Sequence, residues 1–483
     1  MGSEDRVRRV DERLKEITPQ GENFSQWYVD VIIRAQLADY APVRGMMAIR
    51  PDGYAIWEFI QKDLDARFKA TGHRNAYFPL LIPESLLERE AQHVEGFAPE
   101  VAWVESGGSE RLEERLAIRP TSEAIIGAMY ARWVQSYRDL PVLINQWCNV
   151  LRWEKATRPF LRTTEFLWQD GHTCHADADE ARTEARTMLE VYRSFIESQL
   201  AIPVLAGSKS EREKFAGAEH TYTCEALMRD GRALQAATSH ELGQRFAQAF
   251  GIRYLDRDGV LKHPYQTSWG ASTRLIGALI MVHGDDHGLR LPPRVAPVQV
   301  VVVPIAPARE RARVLEAAAR IRGLLGEHRV VLDDREEFTP GWKFNEWELR
   351  GVPLRVEIGP RDLAREEAVL VRRDGGEREV VAIDALARRV PEVLDAVQAG
   401  LFRQAQDHLA EHTRRLATLA EVKEMMGGQR GMAVAGFCGQ DACELRVKEE
   451  SGATLRLLAD DPEAADCLVC GRRGTLAYWA RAY

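Results

Sequence analysis

The part of the sequence that decides the fold lies between residues 119 and 174 and contains the strings RPTSEAIIG (119–127) and LRWEKATRPFLRTTEFLWQDGHTC (151–174). In RWE, Arg152 and Glu154 are two residues apart, so on a β-strand their side chains would point to one face. A guanidinium fork suits a phosphate or a carboxylate, whereas a carboxylate only accepts hydrogen bonds. Thr121 and Glu123 repeat this spacing. Alone, the pattern is more typical of an ion pair on a solvated strand than of a binding site.

Length and composition place the chain among globular proteins with several domains. A chain of 483 residues exceeds what one hydrophobic core usually organises, so we expect two to four domains. No apolar run reaches the length of a membrane span, and the N-terminus is too charged for a signal peptide. We therefore expect a cytoplasmic protein without a membrane partner. The net charge of −8 means that any nucleic acid must be bound through local basic patches.

Proline and glycine mark the domain boundaries. LPPRVAP (291–297) contains three prolines and precedes VQVVVVPI (298–305), which is typical of a buried strand. The following alternation of strands and helices predicts a small α/β domain with a mostly parallel sheet. A polar helical stretch is predicted from 401 to 426, where GGQRG ends it. We expect domains at 1–290, 298–400 and 401–483, the first of them of the α+β class.

Four late cysteines predict a metal site. Cys438, Cys443, Cys467 and Cys470 form a C-x₄-C and a C-x₂-C pair separated by 23 residues. Such paired spacing is typical of a structural Zn²⁺ site with four thiolate ligands. His, Cys and Asp also crowd in DGHTCH (170–175) and HGDDHG (283–288), but neither string offers four well-spaced ligands.

Three stretches resemble the motifs of one enzyme family. RPTSE with FLRTTEFLWQDGH resembles motif 2 of class II aminoacyl-tRNA synthetases, and its flanks resemble those of prolyl-tRNA synthetases. Residues 45–79 resemble motif 1, a long helix leading into a strand that ends at Pro79, and residues 268–297 resemble motif 3, with Arg274 as its arginine. The resemblance extends from about Phe24 to Tyr483.

The resemblance implies a fold and a subtype. It implies a catalytic domain built on an antiparallel sheet flanked by helices, an α/β anticodon-binding domain, and a small zinc-binding α+β domain at the C-terminus. The roughly ninety residues between motifs 2 and 3 leave too little room for a large editing insertion. Together with the C-terminal extension, this implies the archaeal and eukaryotic-like type. Motif 1 implies a homodimer.

The implied activity joins proline to tRNA. Proline and ATP would give prolyl-adenylate and pyrophosphate, and proline would then pass to the 3′ end of tRNA(Pro). Positioning and electrostatic stabilisation suffice for this chemistry, so arginines and Mg²⁺ should dominate the site. By resemblance, Arg152 bridges the proline carboxylate and the α-phosphate, Glu154 accepts from the adenine amino group, and Arg274 holds the γ-phosphate.

The resemblance also assigns the remaining contacts. For ATP it implies Arg152, Glu154, Arg162, Thr163, Gln235, Thr238, Ser272 and Arg274. For proline it implies Thr121 and Glu123 at the amine, together with Arg152, Trp168, His172, Phe215 and His240. For Trp168 and Phe215, core packing remains the alternative, since that is the commoner fate of aromatic side chains.

Glu348, Arg355 and Arg361 are the residues implied to read two guanines of the anticodon, through hydrogen bonds to the base edges. The alternative is a charged rim on a helix and a strand. The resemblance also implies that Tyr483 packs near the active site.

Two rival functions remain open. A related protein that only binds tRNA would have lost an activation residue, yet all of the expected ones are present. A class II synthetase for threonine, histidine or glycine would lack RPTSE and the C-terminal cysteines.

Overall fold

The computed structural model describes residues 17–93, 100–459 and 463–483. Up to residue 290 the helices are α1 (Gln20–Arg34), α2 (Pro51–Ala70), α3 (Glu84–His93), α4 (Glu123–Trp133), α5 (Ala178–Leu200), α6 (Arg245–Phe250) and α7 (Arg274–His283). The strands are β1 (Ala38–Tyr40), β2 (Met47–Ile49), β3 (Arg74–Asn75), β4 (Leu81–Pro83), β5 (Trp103–Gly107), β6 (Glu110–Ile118), β7 (Val142–Leu151), β8 (Glu165–His175), β9 (Leu205–Ser208), β10 (His220–Leu227), β11 (Ala233–Gly243), β12 (Tyr254–Leu255), β13 (Leu261–Lys262) and β14 (Tyr265–Ser272).

An antiparallel sheet forms the centre of this part, as predicted. Its strands follow the order β9-β10-β11-β14-β8-β7, and short β3 pairs with β7 in parallel at the edge. Helix α5 covers one face and buries Met188, Tyr192 and Phe195 in the core. Asp177 caps the start of α5, since its carboxylate accepts a hydrogen bond from the Glu180 amide at 2.9 Å. The sheet thus offers its other face to a site.

The RWE string lies beyond the strand on which we expected it. β7 ends at Leu151, so the prediction that Arg152 and Glu154 share one strand face was wrong. The Arg152 amide donates to the Thr164 carbonyl at 2.8 Å, and the Trp153 amide donates to the Glu100 carbonyl at 3.0 Å. These loop contacts, which sequence periodicity does not reveal, take the chain out of the sheet.

The middle part contains helices α8 (Arg311–Leu324), α9 (Pro340–Leu349), α10 (Pro360–Leu363) and α11 (Leu386–Glu411), and strands β15 (Val300–Pro304), β16 (Val330–Leu332), β17 (Leu354–Ile358), β18 (Glu367–Arg372) and β19 (Arg378–Ala382). The sheet order is β16-β15-β17-β18-β19. Only β15 makes parallel pairs, with β16 and β17, while the other two pairs are antiparallel. The sheet is therefore mixed and not mostly parallel, because β18 and β19 form a hairpin where a further helical crossover was expected.

The C-terminal part contains helices α12 (Leu419–Gly427) and α13 (Asp441–Ser451) and strands β20 (Thr413–Arg415), β21 (Met432–Phe437), β22 (Thr454–Leu458), β23 (Ala464–Asp466) and β24 (Arg473–Ala480). The helical stretch predicted for 401–426 is in fact the end of α11, then β20, then α12. β22 pairs with β9 at Leu458 and Ser208, so one twelve-stranded sheet runs through both parts.

Buried charged side chains stabilise the junction between β9 and β22, which we call the seam. Lys209 Nζ lies 2.7 Å from Glu225 Oε1, and Arg456 Nε donates to Glu225 Oε2 at 3.0 Å. All three side chains are buried. Burial raises the pKa of Glu225, but the two cations lower it further, so the carboxylate stays ionised.

Across the described ranges, no helix is long and apolar enough to span a membrane.

Candidate functional site

A cavity of about 380 Å³ opens on the uncovered face of the large sheet. The expected site residues that line it are Thr121, Glu123, Arg152, Trp168, Phe215, Gln235, Thr238, His240, Ser272 and Arg274. They come from the start of α4, the loop after β7, strand β8, the loop between β9 and β10, strands β11 and β14, and the start of α7. In the sheet register, Ala237 of β11 pairs with Ala271 of β14, and Ser272 pairs with Trp168 of β8. The pairing of β11, β14 and β8 therefore brings residues that are distant in sequence to one cavity.

Arg152 and Arg274 give the cavity its positive charge. Arg152 Nε donates to the Pro120 carbonyl at 3.0 Å, and its guanidinium lies 5.6 Å from the Phe166 and Trp168 rings. Arg274 donates only to the carbonyls of Leu161 and Gln235, at 3.3 and 3.4 Å. Neither arginine has a carboxylate within 4.0 Å among the residues with described positions.

Proximity of the two cations is reflected in their pKa values. Burial lowers the pKa of Arg274 to about 10, and the nearby Arg152 and Arg162 lower it as well. Burial also lowers the pKa of Arg152, although Glu123 and Glu154 oppose that effect. An anionic ligand would relieve this repulsion, so the arrangement is suited to phosphate or carboxylate binding.

The opposite end of the cavity carries negative charge. The Thr121 hydroxyl donates to Glu123 at the start of α4, and both side chains are buried. Asp170 of β8 also lines the cavity, and its Oδ1 lies 2.9 Å from His172 Nε2. Burial lowers the pKa of His172, but Asp170 raises it by more, so the net shift is upward. A cationic amine fits between these carboxylates.

His240 differs from His172 in the direction of its pKa shift. Its Nδ1 lies 3.0 Å from the Thr221 hydroxyl, and its ring is 4.8 Å from that of Phe215. Burial and the neighbouring His172 lower the pKa of His240 to about 3. It is therefore a neutral imidazole at pH 7 that can accept or donate one hydrogen bond.

Four expected residues do not line the cavity. His172 lies behind Asp170, while Arg162 Nε lies 3.4 Å from Glu154 Oε2 at a largely exposed position. The Thr163 hydroxyl donates to the Glu165 carbonyl at 2.7 Å. The cavity also contains Phe166, Asp170, Glu213 and Thr221, which sequence reasoning missed. Strand periodicity was a signal for Asp170, because it lies two residues from both Trp168 and His172.

Tyr483 lies beside the loop that follows RWE and not in the cavity. Its hydroxyl donates to Asp230 at 2.6 Å. The guanidinium of Arg158 is 5.0 Å from the Tyr483 ring and 5.2 Å from that of Tyr28. Two aromatic rings thus hold this arginine, which fixes the loop next to the cavity.

The four late cysteines converge. Their sulfur atoms all lie within 4.8 Å of one another, and Cys438 Sγ is 3.6 Å from the sulfurs of Cys443 and Cys470. Four thiols at this spacing suit a tetrahedral Zn²⁺ ion. DGHTCH and HGDDHG form no comparable cluster in the part of the chain that the structure covers.

Of the three residues expected to read the anticodon, Glu348 and Arg355 lie together, and Arg361 does not line the same cavity. Arg355 Nη1 lies 3.1 Å from Glu348 Oε1, and its Nε donates to Glu357 at 3.0 Å. Arg361 is exposed and follows the far end of β17. It lies in α10, which begins two residues after β17 ends. Glu348 and Arg355 line a second cavity, of about 410 Å³, with Asp285, Arg290 and Arg373.

Comparisons with known proteins agree along the whole chain. Residues 103–283 match the family model for the tRNA synthetase class II core domain (G, H, P, S and T). Residues 299–393 match the anticodon binding domain, and residues 419–483 match the prolyl-tRNA synthetase C-terminal domain.

Individual proteins are similar over nearly their full length. The chain is 60% identical to a proline–tRNA ligase of Rubrobacter xylanophilus, over 98% of the chain and 100% of that protein. It is 56% identical to a proline–tRNA ligase of Natranaerobius thermophilus, over 98% of the chain and 99% of that protein. The crystal structure of prolyl-tRNA synthetase from Cryptosporidium parvum, complexed with halofuginone and AMPPNP, has a TM-score of 0.93 at 39% identity, and the match covers 97% of this chain and 100% of that one.

Proposed function

The chain belongs to the prolyl-tRNA synthetases, and from that premise we propose how its cavity joins L-proline to ATP and then to tRNA. The enzyme is a proline–tRNA ligase of class II. A proline carboxylate oxygen attacks the α-phosphorus, the bond to pyrophosphate breaks, and prolyl-adenylate forms. A hydroxyl of the terminal ribose of tRNA then attacks the carbonyl carbon, and AMP leaves. The observation that carries the proposal is the pair Arg152 and Arg274, two arginines without carboxylate partners that face an acidic pocket.

Arg152 stands where it can bind two anions at once. Its guanidinium fork would contact both the proline carboxylate and the α-phosphate, and so reduce the repulsion between the two groups that react. Arg274 and Ser272 would hold the γ-phosphate end, with Gln235 and Thr238 beside the nucleotide. Mg²⁺ would accompany the phosphates and neutralise part of their charge.

The loop after RWE would close over the adenine. Glu154 would accept a hydrogen bond from the adenine amino group, with Arg162 and Thr163 above the nucleotide. Because Glu154 and Arg162 face each other at 3.4 Å, nucleotide binding would separate them. This rearrangement accounts for their position outside the cavity.

Proline would occupy the acidic end. Thr121 and Glu123 would bind the secondary ammonium, and the Trp168 and Phe215 rings would enclose the pyrrolidine. His240 would contribute a neutral imidazole, and His172 would act through Asp170. The contacts made by Thr121 and Phe215 in the cavity support this arrangement.

We propose Zn²⁺ as the ion of the four cysteines and assign it a structural role. Cys438, Cys443, Cys467 and Cys470 provide all four ligands of a closed site, which leaves no position for a substrate. Metal analysis of the purified protein should give one Zn²⁺ per chain, and Cys438→Ser should lower that value and the thermal stability together. A chain that melts identically with and without a chelator would contradict this assignment.

tRNA(Pro) would bind through the middle part. Glu348 and Arg355 line one cavity, and a guanine edge would compete for the hydrogen bonds they now make to each other. Arg361 would contact a neighbouring nucleotide or phosphate, since it is exposed and distant from Arg355.

We propose a homodimer formed through the motif 1 segment. Tyr54 and Tyr77 of this segment, and Leu81 just after it, are exposed by 44%, 71% and 39%. Large apolar side chains that are exposed on a surface are typical of an interface. Light scattering of the wild type should give a molar mass of twice that of one chain. In Tyr77→Asp the measured mass should fall towards that of a single chain.

We retain three domains, 1–290, 298–400 and 401–483, as the functional division, with α11 extending across the second boundary. The matched family ranges lie within these limits and support it. We place the enzyme in the cytoplasm, where ATP and tRNA are available.

Proline-dependent exchange of ³²P between pyrophosphate and ATP tests the function. We expect exchange with proline and little with threonine. No exchange with proline, despite tRNA binding, would indicate a tRNA-binding relative. Equal exchange with threonine would indicate another class II specificity.

A further inference from the structure

Asp170 is a carboxylate of the cavity that the expected substrate contacts leave out. It is 5% exposed and lines the cavity from β8. Oδ1 lies beside His172, whereas Oδ2 is buried and has no hydrogen-bond partner within the described part of the protein. A buried carboxylate oxygen without a donor is unfavourable, so in solution it is satisfied by water or by a ligand.

Asp170 lies on the face of β8 that borders the cavity. Trp168, Asp170 and His172 alternate along β8, so all three share one face. The residue paired with Asp170 on β14 is Gly270, which also lines the cavity and has no side chain that could cover the carboxylate. A substrate in the cavity would therefore meet no β14 side chain in front of Asp170.

The two buried carboxylates of the cavity differ in their partners. Glu123 already accepts a hydrogen bond from Thr121. Asp170 shares one oxygen with His172 and keeps the other unshared. The neighbouring Asp170 carboxylate raises the pKa of His172.

We propose that Asp170 is a second amine-binding residue: its Oδ2 accepts one hydrogen bond from the secondary ammonium group of the amino acid. This inference rests on the proposed function of the cavity. A ring nitrogen in its cationic form carries two N–H groups. The Thr121–Glu123 pair receives one of them, and Asp170 receives the other. The cavity thus matches the number of donors of a cyclic secondary amine, and not only its charge.

Asp170→Asn is the primary test, because it preserves shape and removes the charge. We expect the KM for proline in ATP–pyrophosphate exchange to rise about 10- to 100-fold, while the KM for ATP stays unchanged. Asp170→Glu, which restores the charge, should recover part of this loss. Asp333→Asn, at another buried aspartate far from the cavity, is the matched control and should leave the KM for proline unchanged.

An oxygen analogue of proline shows whether the ammonium is what Asp170 contacts. (S)-Tetrahydrofuran-2-carboxylate has the same ring without N–H donors, so the wild type should bind it far more weakly than proline. In Asp170→Asn this preference should shrink by about the same factor as the rise in KM. If Asp170→Asn does not fold, Asp170→Ser, which leaves room for water, is measured in its place.

The outcomes separate the inference from the function on which it depends. Wild-type exchange with an unchanged KM in Asp170→Asn would mean that Oδ2 binds only water, and would overturn the inference while the function stands. A raised KM with an unchanged preference for proline over the oxygen analogue would also overturn it. Absence of proline-dependent exchange in the wild type would instead reject the function itself.

Discussion

The arginines of the catalytic cavity and those of the cavity at the middle sheet are partnered in opposite ways. Arg152 and Arg274 donate only to backbone carbonyls. In the second cavity, Arg355 pairs with Glu348 and Glu357, and Arg372 pairs with Asp374. Arg373 holds both oxygens of Asp285 at 2.7 and 2.6 Å.

This difference separates binding groups from structural ones. An arginine already satisfied by carboxylates can bind an anion only if those pairs break, whereas one beside carbonyls keeps its charge for a ligand. The arginines of the catalytic cavity can therefore bind an anion without breaking an ion pair. In the second cavity, ion pairs already occupy the arginines. The pair from Arg373 to Asp285 joins the middle sheet to the segment just after α7, the helix that begins at Arg274.

Removing an unpaired arginine should have the largest effect on activity. Arg152→Ala should reduce exchange by about 10³-fold or more, because it removes charge stabilisation at the reacting phosphate. Its unfolding free energy should change by less than about 1 kcal/mol, since no carboxylate loses a partner. Exchange rates and urea denaturation measure the two effects. A large loss of stability would show that Arg152 is also structural.

Removing a paired arginine should reverse this pattern. Arg373→Ala should lower stability by about 1–3 kcal/mol, less than for a fully buried pair, because Asp285 is 27% exposed. Exchange should stay close to the wild-type rate. The comparison between the cavities fails if Arg373→Ala instead abolishes exchange without changing the urea midpoint.

Glu348→Gln tests whether the second cavity reads tRNA. It weakens the pair with Arg355, and the KM for tRNA in aminoacylation should rise about 10-fold, the value of one base-edge contact. Exchange does not involve tRNA and should not change. Glu379→Gln, which breaks an exposed pair with Arg389, is the control and should change neither quantity.

The smallest effect concerns pH. Burial raises the pKa of Asp285, but the hydrogen bonds from Arg373 lower it further, so the folded-state pKa lies below the ordinary value. The stabilisation is therefore present above about pH 4 and is lost as the pH falls through the folded-state pKa. The stability difference between wild type and Arg373→Ala should shrink below about pH 4 in urea titrations. A constant difference down to pH 2 would exclude this ion pair as its source.

The elements that could be predicted were those with local signals. The buried strand β15 follows a proline cluster, and α5 begins at a capping aspartate, so composition and spacing were enough. RWE was misplaced because the Arg152 and Trp153 amides donate to the carbonyls of Thr164 and Glu100, which no local sequence signal reveals. The hairpin β18–β19 was missed for a similar reason, since strand direction depends on pairing.

The candidate site was predicted through family resemblance and not through periodicity. Nothing local connects Arg152 with Gln235 or Arg274, which the sheet register brings together. Asp170 had a visible alternation with Trp168 and His172, but only three dimensions show that one of its oxygens lacks a partner. Likewise, the pairing of Glu348 with Arg355 depends on how α9 packs against β15, the strand next to β17.

The seam between β9 and β22 has a consequence for biosynthesis. Glu225 and Arg456 are 231 residues apart in sequence, yet they meet in the interior of one sheet. Contacts between such distant residues form late, because a long loop must close first. During synthesis, the sheet edge near Lys209 and Glu225 is unpaired until the C-terminal strands fold onto it. Chaperones and proteases can reach this edge in the meantime. Completion of the sheet therefore depends on strands that are synthesised after the catalytic segment and not on that segment alone.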